Sequence, residues 1–306
     1  MTTSARTDRY AALRDELVAQ GLLVPTGVPG VFGRSATFEL VVQRFDRLVS
    51  EAGAGARPEV LRFPPVIPRA VLERSEYLNS FPHLAGSVHS FAGDEASHAT
   101  LLELVDRGED WGGRLAATQV VLTPAACYPV YPTAAGELPR DGRLFDVMSW
   151  CFRHEPSADP ARMQSFRMHE FVRLGGADAM RAFRDAWLEQ GRALLARLGL
   201  AARVALANDP FFGRAGRMLA ANQREQSLKF ELLVPIVSEE EPTAIVSCNY
   251  HQDHFGAAFD IRTPDGAPAH SACVGFGLER TALALVRAHG PAPARWPADV
   301  RAPLGL

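Results

Sequence analysis

Two stretches of the sequence gather residue types that do chemistry on phosphates and nucleobases. The first, CFRHEPSADPARMQSFRMHEF, spans residues 151–171. Alternate residues of a strand share a face, so Arg153 and Glu155 fall on one side. After a polar loop the chain returns with Arg167, His169 and Phe171 at the same spacing. Arginines beside a long loop can clamp a polyphosphate, and an aromatic at the strand base can stack on a nucleobase. On pattern alone, a solvated charged hairpin is the commoner outcome. The second stretch, GFGLER, covers residues 275–280. Its glycines allow close backbone approach, and Arg280 falls in the first turn of a helix. The spacing is neither a Rossmann GxGxxG nor a P-loop. By itself it also reads as packing glycines and a surface arginine.

Residues 8–20 have apolar residues at helical spacing, and GLLVPTGVPGVFGR ends the pattern. A second helix is predicted from about Thr37 to Ala52, with Phe38, Val41, Val42, Phe45 and Leu48 on one face. Residues 58–83 read as a strand, a Pro-rich turn and a short helix. Residues 114–133 read as a strand, a turn and a second extended piece. The strand at 143–153, the loop HEPSADPARMQS and the strand FRMHEFVRLG make a long-looped antiparallel hairpin. Residues 177–198 carry the clearest helix, with Asp178 near its start and Gly199 after its end. RVALANDPFF is a strand and a turn, and a helix follows at 214–227. KFELLVPIV, TAIVSCNYH and GAAFDIRT are predicted as three strands. HSACVGFGLERTALALVRAHG is a strand followed by a buried helix. Hairpin-linked strands without βαβ alternation predict an α+β fold, an antiparallel β-sheet flanked by helices. Residues 1–57 are expected to form a short N-terminal helical extension and residues 58–306 the catalytic domain.

Composition narrows the function classes. A chain of 306 residues sits near the limit of ~250–300 at which one core stops growing. The net charge of −3 argues against a broad basic surface for nucleic acid. The 47% hydrophobic content excludes disorder. Among 32 Lys+Arg residues only Lys229 is lysine. It shares a strand face with Glu231, which suits a phosphate or carboxylate partner as well as a snorkelling surface lysine. The four cysteines are far apart and form no CxxC pair, so a reduced, cytoplasmic setting is expected. No signal peptide and no apolar run of ~18 residues is present, so no membrane role is expected.

Taken in order, FRxE, a loop, RxHxF and a later GxGxxR resemble motifs 2 and 3 of class II aminoacyl-tRNA synthetases. The nearest resemblance is to the seryl enzymes, over roughly residues 58–290. RPEVLRFPPVIP would be motif 1, which implies a homodimer. The resemblance implies that Arg153 holds the ATP α-phosphate, and that Glu155, Arg162 and Met163 meet the adenine end. Phe171 would stack on adenine from one side and Arg280 from the other, with Arg280 also reaching the γ-phosphate. Arginines placed there stabilise the charge that develops when a carboxylate attacks the α-phosphate. Lys229, Glu231 and Ser247 would lie on the strands that face ATP, with Glu231 and Ser247 as Mg²⁺ ligands. The second glutamate expected near there is Ala244.

Several departures from seryl-tRNA synthetases share a direction. Cys127 replaces the glutamate of a PTAE motif, Glu170 replaces the glutamine of HQF, and Gly175 stands where a glutamate would grip a substrate ammonium. Spacing alone favours Cys127 and Cys273 as buried hydrophobes. The resemblance to zinc-dependent, archaeal-type seryl enzymes instead implies Zn²⁺ held by Cys127, Glu170 and Cys273, with an open fourth position for the substrate amine. Cys151 and Cys248 are read as core cysteines. Residues 1–57 cannot form a long tRNA-gripping arm, and a seryl-like core without one resembles the amino acid:[carrier protein] ligases. That family implies activation of a small amino acid, glycine or alanine, and transfer to the phosphopantetheine thiol of a carrier protein. The carrier would dock on the helix at 214–227, with Arg214 and Arg217 as candidate phosphopantetheine contacts, and no tRNA partner is expected. A truncated synthetase that charges tRNA and a non-catalytic paralogue are the alternatives. His169, His251 and His254 are read as structural hydrogen-bonding groups.

Overall fold

The computed structural model describes residues 3–306, apart from the side chains of residues 3–5, 214 and 215. The chain opens with α1 (Thr3–Ala19), a hairpin of β1 (Leu23–Pro25) and β2 (Phe32–Arg34), and α2 (Ala36–Gly53). The Ser35 hydroxyl accepts the Phe38 amide at 3.3 Å and caps α2, satisfying one of the amides orphaned at a helix start. The face of α2 carrying Phe38, Val41, Val42, Phe45 and Leu48 is buried. Next come β3 (Glu59–Arg62), β4 (Val66–Pro68), α3 (Arg69–Arg74), α4 (Tyr77–Ser80), β5 (Ser87–Phe91), α5 (Glu95–Asp106) and β6 (Leu115–Leu122). Strands β4, β6 and β5 form a small antiparallel sheet. After β7 (Gly136–Glu137) come the long strands β8 (Arg143–Phe152) and β9 (Ser165–Gly175), then α6 (Ala177–Arg197), β10 (Arg203–Leu206) and α7 (Gly213–Glu225). The chain ends with β11 (Lys229–Val234), β12 (Thr243–Gln252), α8 (His254–Phe259), β13 (Ile261–Arg262), β14 (His270–Gly277), α9 (Leu278–His289) and α10 (Ala298–Leu304).

A seven-stranded sheet in the order β10-β11-β12-β14-β9-β8-β3 is the frame of the molecule. Every pairing in it is antiparallel except β3 against β8. One face, here the back, packs on α2, α6 and α9 through Phe45, Phe171, Trp187, Val274, Phe276 and Leu283. On the front, Phe145, Val147, Cys151 and Val172 pack on Tyr131, Phe255 and Phe259. The rest of the front opens into a cavity. The N-terminal segment shares the main core: Phe45 of α2 meets the Phe276 ring edge-on at 6.1 Å.

Two sequence expectations need correction. GAAFDIRT is not a strand but the end of α8 followed by the two-residue β13. Phe255 and Phe259, four residues apart, fall on one helical face against Tyr131, whose ring stacks on Phe255 at 3.9 Å. The stretch after β6 is not extended either. Pro124, Pro129 and Pro132 lack the amides a strand would donate, and the chain there is turns ending in a 3-10 turn at Tyr131–Ala134.

Candidate active site

Antiparallel register lays side chains in rows across the front face. Glu231, Ser247, Gly275 and Glu170 are successive partners on β11, β12, β14 and β9. The neighbouring row is Lys229, Asn249 and Cys273. All of these residues line one cavity of about 480 Å³, within the range of small-molecule sites. Gly275 keeps the row open, because a Cβ there would lie 3.1 Å from Met168 and 3.4 Å from Glu170.

The arginines enter from the loops and the helix. Arg153 lies just past the end of β8, and its Nε donates to the Pro124 carbonyl at 3.0 Å. Its guanidinium sits 5.6 Å from the Phe166 ring. Arg280, in the first turn of α9, donates to the carbonyls of Ala161 at 2.8 Å and Ala244 at 3.0 Å. Burial lowers its pKa, yet a guanidinium stays charged under any such shift. Glu155 and Met163 also line the cavity. Arg162 is not part of the wall and reaches it through its 2.7 Å ion pair with Glu155. Ser247 donates to Glu231 at 3.4 Å. Lys229 is no surface lysine: it is buried, with Nζ 2.5 Å from Asp209 and 3.2 Å from Glu231.

Phe171 does not reach the cavity. It is fully buried on the back, stacked on Trp187 at 4.6 Å and pressed beneath Gly53, where a Cβ would fall 2.2 Å from its ring. Glu170 faces forward, so its neighbour must face back. Phe166 is the aromatic of β9 that lines the cavity. The same parity sends Arg167 and His169 backward. His169 sits between Asp46 at 2.7 Å and Asp146 at 3.2 Å. Arg167 holds Glu39 through two 2.8 Å bonds and Glu279 through another, while its amide donates to Glu279 at 2.7 Å. Arg34 donates to the Ser165 carbonyl at 2.8 Å, and the Trp150 ring lies against both arginines. This ion network fixes Glu279, the residue before Arg280, from behind.

Cys127, Cys273 and Glu170 come together on one wall. The Glu170 carboxylate accepts the Ala126 amide at 2.9 Å. Burial, then the neighbouring Cys273 charge, pushes its pKa up to about 8. Interaction between the two neighbouring thiols draws the Cys273 pKa down and pushes that of Cys127 up. Asn249 donates to the Cys273 sulfur at 3.4 Å, and His251 lies 3.6 Å from it with its other nitrogen 3.1 Å from Ser271. His254 contacts the Ser75 carbonyl at 3.1 Å. Among the described residues, no three His, Cys, Asp or Glu side chains are already drawn into a metal-holding group. The donor chemistry of two thiols and a carboxyl nonetheless suits a soft divalent cation, whose charge would favour their deprotonated forms. Cys151 and Cys248 are buried and unbridged. Sequence reasoning missed Phe166, Asn249 and Asp209. Strand parity could have found the first two; nothing in the sequence marks Asp209.

No family model matches the chain. It is 50% identical over 291 residues to amino acid–[acyl-carrier-protein] ligase 2 of Bradyrhizobium diazoefficiens, covering 94% of this chain and 87% of that protein. It is 48% identical over 294 residues to ligase 1 of the same organism, covering 94% and 89%. The chain belongs to the amino acid–[acyl-carrier-protein] ligase family. As a member of that family it is a ligase enzyme. More distantly, it is 27% identical over 267 residues to the type-2 serine–tRNA ligase of Methanopyrus kandleri, spanning 78% of this chain but 49% of that protein. Among solved structures, M. kandleri SerRS in complex with A. aeolicus tRNASec matches with a TM-score of 0.81 at 22% identity, over 95% of this chain and 60% of that one. The ATP complex of Pyrococcus horikoshii seryl-tRNA synthetase matches with a TM-score of 0.68 at 14% identity, over 96% and 62%. The ligase therefore has the class II synthetase fold. No described helix is long and apolar enough to cross a membrane.

Proposed function

We propose that the protein activates glycine or alanine with ATP and transfers it to the phosphopantetheine thiol of a carrier protein. One observation supports this above others. In a chain 50% identical to a carrier-protein ligase, Arg153 and Arg280 line the same cavity as Cys127, Cys273 and Glu170. The amino-acid carboxylate attacks the α-phosphorus, the bond to pyrophosphate breaks, and aminoacyl-adenylate forms. Arg153, already held by Pro124, meets the charge that grows on the α-phosphate. Arg280 faces the adenine and the γ-phosphate, and Glu155 and Met163 bound the adenine end, with Arg162 acting through its ion pair with Glu155. Glu231 and Ser247 would hold the Mg²⁺ that accompanies ATP. At Ala244, where a second glutamate is expected, the carbonyl is taken by Arg280. The carrier thiol then attacks the mixed anhydride and AMP leaves, a step that needs positioning more than a protein nucleophile.

Cys127, Glu170 and Cys273 would hold Zn²⁺, leaving a fourth position open. When bound there, zinc supplies a Lewis acid that takes the substrate's neutral amine. The Ala126 amide orients Glu170 for that role. In this reading α7 receives the carrier, with Arg217 as a candidate contact; the Arg214 side chain lies outside the described residues. The enzyme works as a cytoplasmic homodimer joined through the segment around residues 58–68.

Pyrophosphate exchange across the amino acids, followed by mass spectrometry of a phosphopantetheinylated carrier, tests the reaction. Charging of tRNA without charging of carrier would sink it, and absence of exchange would leave a non-catalytic paralogue. Metal analysis tests the zinc site separately: Cys127→Ala and Cys273→Ala should each lose bound zinc, and unchanged content would refute it.

A further inference from the structure

An ammonium has three donors. Lys229 gives one of them to Asp209 at 2.5 Å and forms an ion pair with Glu231 at 3.2 Å. Among the described residues no further acceptor meets it, and it lines the cavity. Asp209 in turn is gripped by a single side chain of α7. The Asp209 amide donates to Gln223 Oε1 at 2.7 Å, and Gln223 Nε2 donates to Asp209 Oδ2 at 2.8 Å. A side-chain amide presents a donor and an acceptor in one plane, and Gln223 uses both here. A continuous polar line therefore runs from Gln223 through Asp209, Lys229 and Glu231 to Ser247. One end is α7, whose Leu219, Asn222 and Gln223 line the cavity wall while Met218 is 73% exposed. The other end lies on the strands assigned to the nucleotide. Burial would raise the Asp209 pKa, but the Lys229 charge outweighs it, so the pair stays ionised.

We propose that Asp209 and Gln223 are positioning residues that couple α7 to the nucleotide. A bound phosphate takes a Lys229 donor that Asp209 does not use. That immobilises the line from Lys229 to Gln223 and fixes α7 over the cavity, so the helix that faces the acceptor is set once the nucleotide is in place. This rests on the nucleotide site proposed above and adds to it a link between activation and acceptor binding.

Hydrogen–deuterium exchange of the full chain, with and without Mg-ATP, tests the coupling. Mg-ATP should slow exchange across residues 153–163 and also across α7, by about fivefold for a line worth one net hydrogen bond. Gln223→Met keeps the length and helix propensity but removes both bonds. In it the α7 response should vanish while the response at 153–163 persists, which loss of packing alone would not produce. Gln223→Glu, which keeps only the acceptor and sets a charge against Asp209, should lose the α7 response too. Slowing at 153–163 with none in α7 of the wild type would overturn the coupling and leave the nucleotide site standing. Faster α7 exchange, or a full α7 response in Gln223→Met, would overturn it as well. No slowing in either segment would overturn the nucleotide site and the coupling with it.

Discussion

Two backbone carbonyls, of Ala161 and Ala244, hold the Arg280 guanidinium in place before any ligand arrives. A lysine replaces the rigid planar fork that spans both carbonyls with a single point charge on a flexible stem. Arg280→Lys should therefore lower kcat/KM for pyrophosphate exchange on the order of a hundredfold, the scale of losing one preorganised donor. An unchanged rate would remove Arg280 from the nucleotide site. The two phenylalanines of β9 should separate cleanly. Phe171→Ala opens a hole between Trp187 and Gly53 and should cost about 3–5 kcal/mol in urea unfolding. The folded fraction should keep its KM for ATP. Phe166→Ala instead removes the ring beside Arg153, a contact worth ~0.5–2 kcal/mol. It should slow exchange about tenfold with little change in stability, and the reverse pattern would restore Phe171 to the nucleotide. The assignment of Phe171 to adenine overlooked parity, since Glu170 and Phe171 are adjacent and a strand cannot turn both to one pocket. Arg153, Glu155 and Arg280 were legible because loops and a helix start carry them, where motif spacing matters more than parity.

At the scale of elements, β2 and α2 behave as a buttress of the active site. Gln164 is tied to residues 29 and 30, with its amide donating to the Gly30 carbonyl at 2.8 Å and its side chain to the Pro29 carbonyl at 2.8 Å. Arg34 and Glu39 then meet Arg167 and Glu279 on the back of the sheet. Glu39→Gln removes one partner from a bidentate pair whose arginine is nearly buried. The cost should fall between the ~1 kcal/mol of an exposed pair and the ~3–5 kcal/mol of breaking a buried one. Because the network fixes the turn before Arg280, the KM for ATP should rise while the KM for the amino acid moves little. Steady-state exchange with each substrate varied checks this, and equal shifts in both KM values would reduce the network to stability alone. None of this was visible in residues 1–57, where apolar periodicity marks the helices but no long-range ion pairs. The β8–β9 hairpin and helices α2, α6 and α9 were legible because each is long and strongly periodic. Helix α8 was not, since six residues carry too little period to tell helix from strand; it is fixed by the packing of Phe255 and Phe259 on Tyr131.

The whole molecule divides its labour across one sheet, with ligand chemistry on the front and charge-locked helices on the back. That division leaves the edges of the sheet without a further strand. β3 is the last strand of the sheet, and its Val60 is 62% exposed. An open edge of this kind invites pairing unless something shields it. Farther along the chain, α5 buries none of its residues, and Leu102, Val105 and Trp111 are each about half exposed. A second copy of the chain is the partner the motif 1 reading supplies, and it would cover the β3 edge directly. Sedimentation should therefore show a mass of two chains at micromolar concentration. Val60→Glu, which places a charge at the edge without touching the cavity, should shift the equilibrium towards one chain. If the wild type sediments as a monomer throughout, or Val60→Glu stays dimeric as tightly as the wild type, the β3 edge is not the interface.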